Sequence, residues 1–339
     1  MIRFSRRIIA GAFGFAFAWP VAFAQEASFS DVPTNHPVFQ AVEDLKTRGV
    51  LGGYSDGTFR PDAQVSRAEA VKIIASPLLL EEDLTGITST PYLDVPADAW
   101  FLGVVEMARE RLNMIDGPPQ TTVFHPTDPV TKAAFLKMLL LANNIDPAAA
   151  YSEIKLPLGS DVMRNDEWYY PHMRYALSAS MLAADDEGQL LPGLTLTRGD
   201  SALLLHRFLL YREAKRGTAL LALTDTDIAK TDELLAKNLP RAEEASGRSI
   251  LYARGVLQLS PEDDRAKAAV KLAEGFQALV RARKAIADGR HQDAIDLSGV
   301  AWHLGSRAIG FSGEVMEMST LLQERATAIA DEARGLLRG

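Results

Sequence analysis

Apolar positions along this chain switch on and off in short helical stretches. In the first, Val38, Val42, Leu45 and Val50 recur every three to five residues, which predicts a helix with one buried face. Gly49 and Gly52-Gly53 end it, and Tyr54-Ser55-Asp56-Gly57-Thr58-Phe59 reads as a tight Asp-Gly turn with an aromatic on each side. Pro61 blocks helix until Ser66-Arg67-Ala68-Glu69, a capping box in which Ser66 caps and Glu69 bonds back. Val71, Ile73, Ile74 and Leu78 then form a second apolar face. The unit is helix, loop, helix, and neither helix buries much by itself.

The unit recurs. Phe29-Ser30-Asp31-Val32-Pro33 is echoed by Tyr92-Leu93-Asp94-Val95-Pro96 and by Ser160-Asp161-Val162. An aromatic follows each time: Phe39, Trp100-Phe101, Trp168-Tyr169-Tyr170. A turn then ends in Pro61, Pro126 or Pro192, and the unit closes on Ser66-Arg67, Thr131-Lys132 or Thr197-Arg198. Arg67, Lys132 and Arg198 are 65 and 66 residues apart, a repeat spacing. Asp31, Asp94 and Asp161 stand where an N-cap would precede each first helix, and Thr131 and Thr197 stand in the place of Ser66. Three such units pack into one core.

Past about Arg216 the texture becomes Ala, Leu, Glu, Arg and Lys, with Pro240 and Pro261 as the last prolines. Ser260-Pro261-Glu262-Asp263 reads as a helix start, and the helix runs to about Asp288 along Ala269, Leu272, Phe276, Leu279 and Ile286. A partner carries Ala294, Leu297, Ala301 and Leu304 to about Gly310. Ser312 opens a last helix with Val315, Met318, Leu322, Ile329 and Leu336. With one or two helices from the stretch before Leu259, this predicts an antiparallel bundle of four or five. The Ala285-Ile286 and Ala294-Ile295 pair has a tetratricopeptide flavour, but one copy is explained equally well by an ordinary helical hairpin.

Composition narrows the function. The chain has 339 residues, 36 Lys+Arg against 44 Asp+Glu, and no Cys. The acidic balance argues against a nucleic-acid binder, and the missing Cys excludes disulfides, thiolate zinc sites and a Cys nucleophile. Arg3, Arg6 and Arg7, the apolar run Ile8–Phe23 and Ala22-Phe23-Ala24 make an export signal over residues 1–24, with an uncleaved anchor as the alternative. Cleavage after Ala24 removes three Arg and takes the formal charge from −8 to −11. No later stretch is long and apolar enough to span a bilayer. None of the six His forms a zinc-protease pair, and there is no nucleophile elbow or phosphate loop, so no enzyme, cofactor or metal site is expected.

The first unit, with Phe-x-Asp-Val, Gly-Tyr-x-Asp-Gly-Thr-Phe-x-Pro and Ser-Arg-Ala-Glu, resembles the S-layer homology motif over residues 29 to about 76. The second and third units are degenerate copies at the expected spacing. The resemblance covers about residues 27–213. It implies a mainly α fold: a pseudo-threefold helical bundle of three helix-loop-helix repeats, followed here by an antiparallel helical bundle. In that family the grooves between lobes bind cell-wall polysaccharide, often carrying a pyruvyl ketal, and the basic residue of the last element meets the anionic sugar. Carried over, this implies Arg67, Lys132 and Arg198 as glycan contacts, with Tyr54 and Asp56 beside them. A guanidinium at a helix N-terminus would add the positive dipole end to its own charge. Arg can grip a carboxylate with two parallel bonds and Lys132 cannot. The sequence therefore predicts one good groove at Arg67, a second at Arg198 and a weak third.

Competing readings are plainer. Trp100 and Trp168 could stack on sugar, but near the apolar stripes they read as core. Asp185-Asp186-Glu187-Gly188 lacks the oxygen spacing of a calcium loop and reads as a solvated turn. The expected organisation is an export signal at 1–24, a three-repeat module at 25–213 (repeats about 29–78, 92–142 and 158–211) and a helical bundle at 214–339. The expected function is non-covalent anchoring to an envelope polysaccharide at the cell surface or in the periplasm. One alternative is an interaction protein with structural repeats whose C-terminal helices bind a protein or self-associate; another is an envelope hydrolase targeted by the repeats.

Overall fold

The computed structural model describes residues 27–117 and 119–338; the expected export signal lies outside them. The described chain is mainly helical, with eleven α-helices and no strand: α1 (Phe39–Thr47), α2 (Arg67–Ala75), α3 (Leu102–Glu110), α4 (Lys132–Ala142), α5 (Tyr170–Ser178), α6 (Arg198–Arg212), α7 (Gly217–Leu234), α8 (Leu239–Leu259), α9 (Asp264–Ala287), α10 (His291–Phe311) and α11 (Met316–Leu336).

The first six helices come in three pairs, and the pairs meet at a ring of backbone bonds. Val65 N donates to Leu196 O, Leu196 N to Val130 O, and Val130 N to Val65 O, at 3.0, 2.9 and 3.1 Å. All three side chains are buried. Just beyond, the N–H of Arg67, Lys132 and Arg198 donates to the carbonyl of Asp128, Leu194 and Ala63, each at 2.8 Å. Each second helix therefore starts on the loop of another unit. Ser66, Thr131 and Thr197 cap α2, α4 and α6, with reciprocal boxes to Glu69 and Asp200 and a one-sided cap at Thr131, where the third helical position is Ala134.

Asp31, Asp94 and Asp161 do not cap helices, contrary to the sequence reading. α1, α3 and α5 begin eight or nine residues later. The Asp carboxylates instead reach the far loop of their own unit. Asp31 accepts from Phe59 N and Arg60 N (2.8 and 2.7 Å), Asp94 from Phe124 N and His125 N (2.8 and 2.7 Å), and Asp161 from Leu190 N and Leu191 N (2.9 and 2.7 Å). In each case the second residue has a left-handed backbone, φ 59°, 59° and 54° at Arg60, His125 and Leu191. Two successive N–H groups in that conformation form a concave anion site, and the carboxylate fills it.

Helices α7–α11 form the antiparallel bundle. α9 starts at Asp264, capped by Asp263, because α8 runs through to Leu259 and leaves Ser260-Pro261 as the reversal. The predicted apolar stripe holds at Val315, just ahead of α11, and at Leu322 and Ile329 within it, whereas Met318 is half-buried and Leu336 is exposed. The bundle sits directly on the third pair. A Cβ at Gly255 of α8 would fall 1.8 Å from Ser178 O of α5, so only glycine fits this crossing. Tyr252 OH donates to Leu182 O, and one apolar core runs through the three helix pairs and the bundle.

Candidate functional site

The three basic residues at the second-helix starts are placed alike. Each lies under the loop of another unit: Arg67 against Phe124, with its guanidinium carbon 5.3 Å from the ring centre; Lys132 donating to Leu190 O at 2.7 Å; Arg198 against Phe59 at 4.8 Å, its Nε donating to Phe59 O at 2.9 Å. The helix N-termini themselves are not open to a ligand. The first two N–H groups of α2, α4 and α6 donate to loop carbonyls and the third is met by the cap at Ser66, Thr131 or Thr197. The expected dipole contribution is spent on the fold, and any anion would be met by side chains.

Arg198 borders one groove between the units. The groove has a volume of about 380 Å³ and is bounded by Gly52, Gly53, Tyr54, Glu69, Lys72 and Trp100. Gly53 is fixed here by packing, since a Cβ would collide with the Phe29 ring and Thr58 O. Arg198 lies 5.0 Å from the Tyr54 ring centre, its Nη2 donates to Gly52 O at 3.3 Å, and its Nη1 is 3.9 Å from Glu69. Across the groove the Lys72 ammonium is 5.1 Å from the Trp100 ring centre. Two cations and two aromatic faces thus border one hollow, a set suited to an anionic sugar.

Tyr54 pairs with Arg198, not with Arg67 of its own unit, because the cyclic packing carries Arg198 onto the first loop. Asp56 is committed to the turn: it accepts from Thr58 N and Oγ1 and from Arg60, at 3.0, 2.6 and 2.9 Å. Those bonds from Thr58 and Arg60 hold its pKa at about 2. Arg67 lines a different hollow of about 380 Å³ with Asp116, His125 and Asp128. Burial lowers its pKa, and its Nε has no hydrogen-bond partner among the described residues. Burial likewise lowers the pKa of Lys132, which faces Asp200, Asp161 and Asp185.

Trp100 and Trp168 correct the sequence reading. They are 61% and 55% exposed, outside the core, because each stands two residues ahead of its helix and escapes the buried stripe. Lys72 was missed, although the signal was available. It follows Arg67 by five residues, as Lys137 follows Lys132. After Arg198 the same position is Leu203, and the place of the two Trp ahead of α1 is taken by Pro37.

Comparison with known proteins places similarity in the repeat-bearing part of the chain. A family model for the S-layer homology domain matches residues 28–71. The chain is 27% identical to Cell surface glycoprotein 1 of Acetivibrio thermocellus over 168 residues, 48% of this chain and 7% of that one. It is 28% identical to the Surface-layer 125 kDa protein of Lysinibacillus sphaericus over 171 residues, 50% of this chain and 14% of that one. It is 36% identical to Outer membrane protein SlpA of Deinococcus radiodurans over 98 residues, 26% of this chain and 8% of that one. The matches thus span less than a sixth of each relative. The segment that matches the S-layer homology domain, residues 28–71, holds α1, the Gly53–Pro61 loop and the capped start of α2.

Proposed function

We propose that this cell-envelope protein is held non-covalently to an anionic polysaccharide, and that the groove at Arg198 is its principal contact. The S-layer homology domain and relatives named for the cell surface, the surface layer and the outer membrane support the location. The three cyclically packed units support reading the second and third helix pairs as further, diverged copies of the same motif. The observation that carries the glycan reading is the pairing of Arg198 with Tyr54 and of Lys72 with Trp100 around one hollow.

In this reading a sugar carboxylate sits between Arg198 Nη1 and the Lys72 ammonium, where two cations flank it in a half-enclosed site. The Trp100 ring takes the apolar face of a sugar, and Glu69 accepts from a hydroxyl. The Arg67 hollow, with Lys137 and Trp168 nearby in register, is a second and weaker site. The Lys132 position, short of a Trp and facing acids, contributes structure.

The test is co-sedimentation of the full chain with purified cell-wall sacculi at low and high salt, alongside Arg198→Ala, Arg67→Ala and Lys132→Ala. The full chain is needed because α8 shares its core with α5. Loss of pelleting in Arg198→Ala, a smaller loss in Arg67→Ala and retention in Lys132→Ala is the expected order. Undiminished pelleting of a folded Arg198→Ala protein overturns it.

A further inference from the structure

A second charged cleft lies away from the repeat grooves, where the loop Glu153–Leu156 meets α8, α9 and the start of α10. Its volume is about 600 Å³, within the usual range for a small-ligand site. The floor is apolar: Ile154 and Ile250 are buried, and Leu156 and Leu297 are half-buried beside them. The rim is cationic, with five bases (Lys155, Arg254, Arg281, Lys284, Arg290) against three acids (Glu153, Glu243, Glu274). In a chain of formal charge −8 this is a local reversal of sign.

The acids are already in use. Both oxygens of Glu243 accept from Lys284 at 2.8 Å. Glu153 and Glu274 both pair with Arg254, at 3.4 and 3.2 Å, and Glu274 also takes Lys271. Arg290 turns to Asp288 and Asp293. Two cations are left over: among the described residues neither Lys155 nor Arg281 has a carboxylate within 4.0 Å. The spacing explains the geometry. Glu274, Gln277, Arg281 and Lys284 share one face of α9, and Lys155 is brought opposite them by the loop that enters the third repeat.

We infer that this cleft binds a small organic anion, a carboxylate or phosphate monoester on an apolar body, with Arg281 and Lys155 taking the charge and the Ile154–Ile250–Leu297 floor taking the body. Apolar floor and unpaired cations lie within one cleft, so a ligand bearing both features satisfies what the fold leaves open. The cleft is formed jointly by the repeat module and the bundle, and an occupant would tie the two together.

The test uses the full chain and calorimetric titration with phenyl phosphate, phenylacetate, inorganic phosphate and phenol. Phenyl phosphate or phenylacetate should bind saturably and more tightly than inorganic phosphate or phenol, and the tighter of the two identifies the headgroup. Arg281→Gln with Lys155→Gln, both exposed positions, should weaken that binding about tenfold or more with an unchanged circular-dichroism melt. Arg198→Ala should leave it as it was. Three results would each overturn the inference: no saturable binding by either probe, equal affinity in the double variant, or loss in Arg198→Ala, which would move the probe to the glycan groove. Equal affinity for inorganic phosphate would do the same by removing the role of the floor.

Discussion

Arg248 of α8 grips Asp227 of α7 with two bonds, Nε and Nη2 to the two carboxylate oxygens at 2.8 and 3.0 Å, and its Nη1 donates to Leu158 O at 3.1 Å. The Arg side chain is 2% exposed and the Asp 10%. The ion pair thus fastens two helices of the bundle to the backbone that leads into the third helix pair. Removing one partner strands the other charge without water. Asp227→Ala should cost about 3–5 kcal/mol, read from urea denaturation. The pair Asp227→Leu with Arg248→Met should cost less, since it leaves only the Leu158 carbonyl unsatisfied, about 1–3 kcal/mol. A double variant as unstable as Asp227→Ala would show that the pair is not coupled.

The crossing of α8 on α5 yields a second prediction. With Ser178 O occupying the place of a Cβ, Gly255→Val must push the helices apart. It should destabilise by more than about 3 kcal/mol and split one unfolding transition into two, with the repeats and the bundle melting separately. Glycines whose Cβ would meet nothing within 4 Å among the described residues, such as Gly299 on α10, should accept Ala with a gain of about 0.5–1 kcal/mol. Comparable melting of Gly255→Val and Gly299→Ala would contradict the close crossing.

What was legible in the sequence was local. The caps at Ser66, Thr131 and Thr197 depend on residues three apart, so the starts of α2, α4 and α6 are written within one turn. The bonds that set the site are distant: Asp31 reaches Phe59, and Arg198 reaches the carbonyl of Phe59 from 139 residues away. Periodicity carries no information about which unit's loop receives which unit's arginine, so the contact of Arg198 with Tyr54 is not legible in it. The two exposed Trp were misplaced for a related reason. A pattern of helical steps classifies residues inside helices, and Trp100 and Trp168 stand just before them.

The loop-closing carboxylates make stability depend on pH. For Asp31 and Asp94 burial acts to raise the pKa, but the backbone N–H groups of Phe59 and Arg60, and of Phe124 and His125, together with each residue's own, outweigh it and leave the pKa below the ordinary 3.8. The unfolded carboxyl therefore takes up a proton first as pH falls. The stabilisation is complete above about pH 4 and is lost as pH drops through the lower folded value. Urea midpoints measured from pH 6 to pH 2.5 should be flat and then fall. Asp31→Asn and Asp94→Asn should lower the plateau by about 1–3 kcal/mol each and flatten the acid limb. An acid limb unchanged in both variants would assign the loss to other groups.

The exposed aromatics separate a binding surface from a merely stable one. Trp100 is 61% exposed, and Lys72 lies over its ring without an acid partner among the described residues. Neither side chain supports the core, so Trp100→Ala and Lys72→Gln should leave the melting temperature within a degree or two, because surface changes of this kind stay within about 0.5 kcal/mol. Each should nevertheless weaken sacculus binding about fivefold, the loss of one stacking or cation contact of about 1 kcal/mol. Trp168→Ala and Lys137→Gln, in register at the Arg67 hollow, should show the same pattern with smaller effects, and Pro37→Ala and Leu203→Gln at the third position should show none on binding. The high-salt arm sorts the two contributions, since screening suppresses the Lys72 effect and spares the Trp100 effect. Equal binding across all six variants would mean that the repeats hold the fold together and that attachment lies elsewhere on the molecule.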